Sequence, residues 1–386
     1  MRKGLSKPGP LASFDERDSV FTRARLKPGT AMHDEHYARR PEQFSADLRS
    51  RKLPHLASLG GQRYEAEAAL LIQSQFAASD LIADAVEGSE NASAAGLPEG
   101  LAHGAGGPGA AHVLEDSSPA GLTRFAKNAA RFLGADDVGV TAMDPAHVYS
   151  HRGRPKEKHG HVPALKHSHA IVMVFAMRHE YVASGPEMIS TAEVARVYQQ
   201  AAAACFALAD SLRRLGHSAR AHVDSNYLVV CPPLAVDAGL GELGRHGILI
   251  HPRLGSGVRL GVVTVDAPLA EDQAGNWGIA EFCKTCKKCA KLCPAGAIPD
   301  GEPSLLRGAE KWPLNPERCY HYWRSQGSDC GTCMRVCPFT KHDTPLHRVV
   351  RRTIAATPLF NRAILWMDDL FYGRHREPKK VARLGD

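Results

Sequence analysis

The run FCKTCKKCAKLCP places cysteines at 283, 286, 289 and 293 with a proline at 294, the full spacing CxxCxxCxxxCP. No other feature of the chain restricts its fold as tightly. Three thiolates at such short intervals wrap one cubane of iron and sulfide, and the fourth, set apart by its spacing and the proline, ligates a neighbouring cluster. A second block supplies the other half in altered form: Cys319, a ten-residue insertion, then DCGTCMRVCP with Cys330, Cys333, Cys337 and Pro338. Crossed ligation assigns Cys283, Cys286, Cys289 and Cys337 to one 4Fe-4S cluster, and Cys293, Cys319, Cys330 and Cys333 to a second. Zinc held by paired CxxC knuckles would close on four ligands and would leave the CP endings unexplained.

Eight of the ten cysteines lie in this block, and a cytosolic chain keeps such thiols for metals rather than disulfides. The longest apolar runs, Ala201 to Ala209 and Ile171 to Met177, fall far short of the roughly 20 residues that span a bilayer, so no transmembrane segment is expected. The N-terminus MRKGLSKPGPLASFDERDS reaches no apolar h-region, which points to a cytoplasmic protein. A net charge of +7 over 386 residues is mild, with no run of five or six like charges, so nucleic acid is not implied as a partner. Two clusters in series form an electron wire. The long stretch before Cys283 then has to house a partner site or a catalytic centre, which argues for an enzyme.

Helix and strand signals alternate through that stretch and predict an α/β or α+β core. Residues 1–85 read as an N-terminal region packing on the core, with a helix from about Arg63 to Ala85. Residues 86–117 read as a Gly/Ala-rich linker or mobile loop, since VEGSENASAAGLPEGLAHGAGGPGAAH has few bulky apolar groups. The core spans 118–276. It includes a helix in SPAGLTRFAKNAARFLG, a buried strand over His169 to Met177, a helix capped by Ser190 or Thr191 and ended at Gly216, and a strand from Val258 to Asp266. The iron–sulfur domain occupies 277–345 and a tail 346–386. Gly239, Gly241 and Gly244 match GxGxxG by letter but follow no clean strand and lack the acidic residue expected about 20 positions on. They read either as a close backbone approach to a flat or anionic group or as a tight packing turn. The histidines of HRGRPKEKHGHVPALKHSH read as solvated, and Cys205 as a small core residue.

Taken together, LGHSAR, PPLAVDAGLGELGRHGILIHPRLGSGVRLGVVTVDAPL, the cysteine blocks, DDLFYG and the entry segment FDERDSVFTRARLKPGT resemble the cobalamin-dependent reductive dehalogenases. The resemblance implies a nitroreductase-like cobalamin-binding core joined to a ferredoxin-like domain with two 4Fe-4S clusters. It also implies base-off cobalamin, an organohalide substrate, and an external electron donor such as a ferredoxin or flavodoxin. By the same resemblance Tyr198 donates the proton, Arg259 assists it, and Asn226 contacts substrate. Gly239, Gly241, Gly244, Gly257 and Leu260 fall at the cofactor. Arg259 beside Tyr198 would bring the phenol, ordinarily near pKa 10, closer to the working pH. The glycine-rich segment is shared with epoxyqueuosine reductase, a cobalamin and iron–sulfur enzyme acting on tRNA, so a tRNA-modifying reductase is the first alternative and a non-enzymatic electron carrier the second. The respiratory dehalogenases carry a twin-arginine leader that these residues do not show.

Overall fold

The computed structural model describes residues 11–89 and 114–381. Most of the segment read as a linker, residues 90–113, lies outside them. The described chain runs α1 (Ala31–Arg39), α2 (Pro41–Arg51), α3 (Ala66–Ser89), α4 (Pro119–Phe132), β1 (Asp137–Ala142), β2 (His169–Ala176), α5 (Met188–Arg214), β3 (Ala219–His222), α6 (Cys231–Asp237), β4 (Val258–Val265), α7 (Ile279–Cys286), α8 (Pro316–Gln326), α9 (Pro345–Ala356) and α10 (Asn361–Tyr372), with shorter turns between.

The four strands form one sheet in the order β1-β2-β4-β3, with every pair antiparallel. The core is therefore α+β. Because side chains alternate across a strand, β2 sends Ile171, Met173 and Phe175 to one face and Ala170, Val172 and Val174 to the other. The first face packs on α3, α4 and α5, the second on α6. Gly261 in β4 lets α5 come close, since a Cβ there would stand 2.5 Å from the Cys205 sulfur. Cys205 is a fully buried core residue, as its alanine-rich setting suggested.

Two boundaries differ from expectation. Helix α5 starts at Met188 with Glu187 at its N-cap, so Ser190 and Thr191 lie inside its first turn. Thr191 is recruited elsewhere: its hydroxyl donates to Asp329 at 2.8 Å and accepts from the Asp329 amide at 3.0 Å. Helix α3 runs on to Ser89, past the point where composition turned linker-like, because Val86 joins the core and Glu87 meets buried arginines.

The C-terminal hairpin α9–α10 closes over the cysteine domain. Ile354 and Ile364 pack with Phe282, Cys283 and Cys337. Beneath the hairpin, Asp368 pairs with Lys288, with Lys341 at 3.1 Å and with Arg376 at 2.9 Å, and Asp369 meets Lys288 at 2.6 Å. Asp368 is only 9 % exposed. Removing its charge strands Lys341 and Arg376 in a dry site and leaves Lys288 to Asp369 alone, so Asp368→Asn is expected to cost about 3–5 kcal/mol. Urea unfolding of the parent and variant under identical cofactor loading measures the loss; an unchanged midpoint would show that the cations find other partners.

Candidate active site

The cysteine domain shapes itself through short turns. Helix α7 carries Cys283 and Cys286 and stops at Lys287, whose φ of 54° is left-handed; the chain then turns and presents Cys289. Cys283, Cys286, Cys289 and Cys337 line a single recess, together with Arg245, His246 and Lys287. The other four thiols form a second group. Cys333 is held well above its ordinary pKa, first by burial and then by Cys330, Cys319 and Cys293. Cys319 is likewise raised by burial, then by Cys330 and Cys293. Among the described residues no three His, Cys, Asp or Glu converge as on one metal ion.

The first recess offers donors suited to a sulfide-bridged anion. Arg245 is buried and spends Nε on the Cys283 carbonyl and Nη1 on the carbonyls of Pro299 and Gly301, which leaves Nη2 without a partner. His246 accepts at Nδ1 from the Ile248 amide, so its proton resides on Nε2, which is also buried and unpartnered. Burial lowers the His246 pKa to about 4 and keeps the ring neutral. Unsatisfied buried N–H groups are costly, and cluster sulfur would relieve both. Sequence reasoning missed Arg245 and His246, although they directly follow the glycine motif.

The glycines themselves pack against protein. A Cβ at Gly239 would stand 2.4 Å from the Gln273 carbonyl oxygen, at Gly241 2.3 Å from that of Ile250, and at Gly244 2.6 Å from the Ile250 side chain. Their tightness on the Cβ side serves the turn around the short Glu242–Leu243 and Leu249–Ile250 strands. Gly257 differs, because its added Cβ would meet only side chains, none nearer than 3.3 Å. Leu260 packs on the α6 face of the sheet, opposite the face that Arg259 shares with Gly261.

Tyr198 and Arg259 do meet. The guanidinium carbon stands 5.3 Å from the centre of the Tyr198 ring, a cation–π contact between α5 and β4. Phe76 of α3 packs on the other side, 6.3 Å between ring centres. Arg259 Nη2 lies 3.8 Å from Asp329, and its Nε has no partner. Burial raises the Tyr198 pKa, and Arg259 offsets only part of that rise. The expected downward shift is thus reversed: desolvation outweighs one nearby cation, and the phenol stays protonated at neutral pH.

Around this pair lies a lined hollow. Tyr149, Tyr198 and Tyr227 all keep solvent-accessible surface although burial is the leading cause of each raised pKa, as befits groups facing an internal space. Arg154 stands over the Tyr227 ring at 5.1 Å and is held by buried Glu16 at 2.7 Å and by Asp224 at 3.2 Å. No hydrogen bond engages the Tyr198 hydroxyl among the described residues, so it is free for a guest. Arg154 lies within the histidine-rich run read as solvated and Tyr149 two residues before it, and nothing in that run marks them out. Asn226 stands apart from this hollow. Its Oδ1 accepts from Arg152 at 2.8 Å and Arg220 at 2.7 Å, and its Nδ2 donates to the Ala83 carbonyl at 2.8 Å. The amide is committed to a buried network.

One tie joins the two centres. Asp329, beside Arg259 and bonded to Thr191 of α5, immediately precedes Cys330 of the second thiol group.

A mixed core with a paired-cubane domain at one end defines a class of iron–sulfur redox protein, and residues 282–341 match the family model described as a 4Fe-4S dicluster domain. The chain is homologous to the reductive dehalogenases over most of its length. It is 33% identical over 296 residues to the tetrachloroethene reductive dehalogenase of Desulfitobacterium hafniense, covering 64% of this chain and 53% of that protein. To the enzyme of the same name from Sulfurospirillum multivorans it is 32% identical over 303 residues, covering 69% and 60%. The structure of catabolic reductive dehalogenase NpRdhA in complex with 3-bromo-4-hydroxybenzoic acid superposes with a TM-score of 0.73 at 25% identity, covering 97% of this chain and 48% of that one. The chain spans between half and three fifths of the length of these curated relatives. Epoxyqueuosine reductase of Escherichia coli is a more distant relative, 28% identical over 159 residues. Among the described residues no helix is long and apolar enough to cross a membrane.

Proposed function

We propose that the protein is a cobalamin- and iron–sulfur-dependent reductive dehalogenase, replacing halogen by hydrogen on a small organohalide: RX plus two electrons and a proton gives RH and halide. The observation that carries this reading is the Tyr198–Arg259 contact at 5.3 Å, with Arg259 3.8 Å from the aspartate next to a cluster cysteine. Proton source and electron source converge there.

A corrin and its substrate would sit at the phenol-lined hollow, against Tyr198 and Arg259. Bound there, the corrin supplies a strongly reducing cobalt centre. The chain's own part is orientation and proton supply. Burial keeps the Tyr198 proton in place until it is needed, and Arg259 stabilises the phenolate left behind. Tyr149 and Tyr227 wall the hollow, and Arg154, already paired with two carboxylates, braces Tyr227. Cys283, Cys286, Cys289 and Cys337 hold one cluster and Cys293, Cys319, Cys330 and Cys333 the other. Electrons come from an external carrier, in a reducing compartment such as the cytoplasm where free thiols survive until cluster assembly.

The test is anaerobic. Purified holoprotein should contain about eight irons per chain, the sum of two four-iron cubanes, should bind cobalamin with a changed visible spectrum, and should release halide from a panel of halogenated aromatics and alkenes. Full iron loading with no corrin binding would leave a relay protein and remove the catalytic reading.

A further inference from the structure

We propose that the outer face of the α9–α10 hairpin is the docking surface for an acidic one-electron carrier protein of the flavodoxin or ferredoxin type. This rests on the reading that the clusters are recharged from outside.

Exposed apolar groups concentrate here. Leu346 and Val349 on α9, Leu359 in the connecting turn, and Trp366, Leu370 and Phe371 on α10 all face outward, with Leu359 79 % and Phe371 74 % accessible. On α10 the pattern 363, 366, 367, 370 is one helical stripe, and its opposite stripe, with Ile364, is the one buried on the cysteine domain. An apolar patch of this kind, rimmed by polar groups, marks an interaction site.

The rim is basic. Residues 345–380 hold eight Lys and Arg against three acids. Asp368 and Asp369 are already spent on Lys288, Lys341, Arg374 and Arg376. Arg352, Arg362, Lys379 and Lys380 make no ion pair among the described residues. A second copy of this chain would bring like charge against like charge, which disfavours self-association through this face. An acidic partner is complementary.

Position selects a redox carrier over an anionic lipid surface. The inner side of the same hairpin packs Val350, Ile354, Ile364 and Leu365 around Cys283, Cys286 and Cys337, whereas the second thiol group lies toward Arg259 and Tyr198. Electrons bound for the site beside Tyr198 therefore enter at the thiols beneath the hairpin. Both helices pack side by side on those thiols, so a carrier seated on the outer face has a single helix layer to cross. In the step itself the reduced carrier loses one electron and the nearest cluster gains it, with no bond made or broken, and two such steps match the two electrons per RX.

The experiment follows cluster bleaching in full-length, cluster-loaded protein mixed anaerobically with reduced flavodoxin or, separately, with dithionite. Trp366→Ser with Phe371→Ser should slow flavodoxin-driven bleaching about tenfold or more, within the range over which association rates vary among interface variants. Arg352→Glu with Arg362→Glu should slow it similarly and flatten its salt dependence. Dithionite rates should be unchanged in both, which shows that the clusters are intact. Unchanged flavodoxin rates would overturn the proposal, as would a parent that flavodoxin does not reduce. It would equally be overturned if the variants lose only self-association, or only binding to phosphatidylserine vesicles, while flavodoxin rates hold. No organohalide is present, so failure to dehalogenate and failure to dock are read separately.

Discussion

Tyr198→Phe should reduce turnover by about 10²–10⁴-fold, the usual contribution of a positioned proton donor, while iron and corrin content stay at parental levels. The ring, its packing against Phe76 and its contact with Arg259 survive this change; only the hydroxyl is lost. Since no hydrogen bond in the described protein engages that hydroxyl, its removal strands no partner, and stability should shift little. Arg259→Met is a different perturbation. It removes the cation that offsets burial, so the Tyr198 pKa should move further up, and it leaves Asp329 in a buried place without its counter-ion. Arg259→Lys should recover part of the rate if charge alone matters. Single-turnover measurements with pre-reduced protein separate the proton step from electron delivery. Parental turnover in Tyr198→Phe would take the tyrosine out of the reaction.

The second large effect is on stability. Glu87→Gln should destabilise the fold by about 3–5 kcal/mol at pH 7, because it breaks a fork of two 2.8 Å bonds to Arg152 and leaves buried cations uncompensated. Arg152 and Arg220 are each only 4 % exposed, and both also depend on Asn226. The Arg152 hydrogen bonds, ahead of the opposing effect of burial, hold the Glu87 pKa down to about 2, against 4.5 for an ordinary glutamate. A depressed carboxylate stabilises the folded state at every pH above its unfolded value and loses that contribution as pH falls toward the folded one. The gap between parent and variant should therefore be full above about pH 4.5 and close progressively toward pH 2. Denaturant unfolding across that range, at constant salt and cofactor loading, reads it directly. A constant gap down to pH 2 would mean that Glu87 is not the charged partner.

Glu87 also shows where the letters mislead. It stands at the head of a run of Gly, Ala and Ser whose composition suggests a linker, yet helix α3 carries it one turn further, to where Arg152 from a distant loop and Arg220 from β3 converge. Local composition cannot register a partner 65 or more residues away. The cysteine spacings were legible because cluster geometry is imposed by the ligands' own sequence intervals. The α+β core was legible because strand and helix periodicities are local, and the α5 start was missed because Thr191 serves a tertiary contact instead of a cap. Tyr198 and Arg259 became visible through family likeness; the sign of the phenol's shift did not, since burial depends on what packs around the ring. That two buried arginines share the Asn226 oxygen was not legible either, since both come from other segments of the chain.

The bond from Thr191 to Asp329 ties the loop of the second thiol group to the helix that carries Tyr198. Thr191 and Tyr198 sit two turns apart on one rigid helix, and Asp329 opens the loop that closes around iron through Cys330 and Cys333. Ser328 donates to the Pro186 carbonyl and Asp329 exchanges two bonds with Thr191, so this loop is moored to the entry of α5 by the protein's own groups.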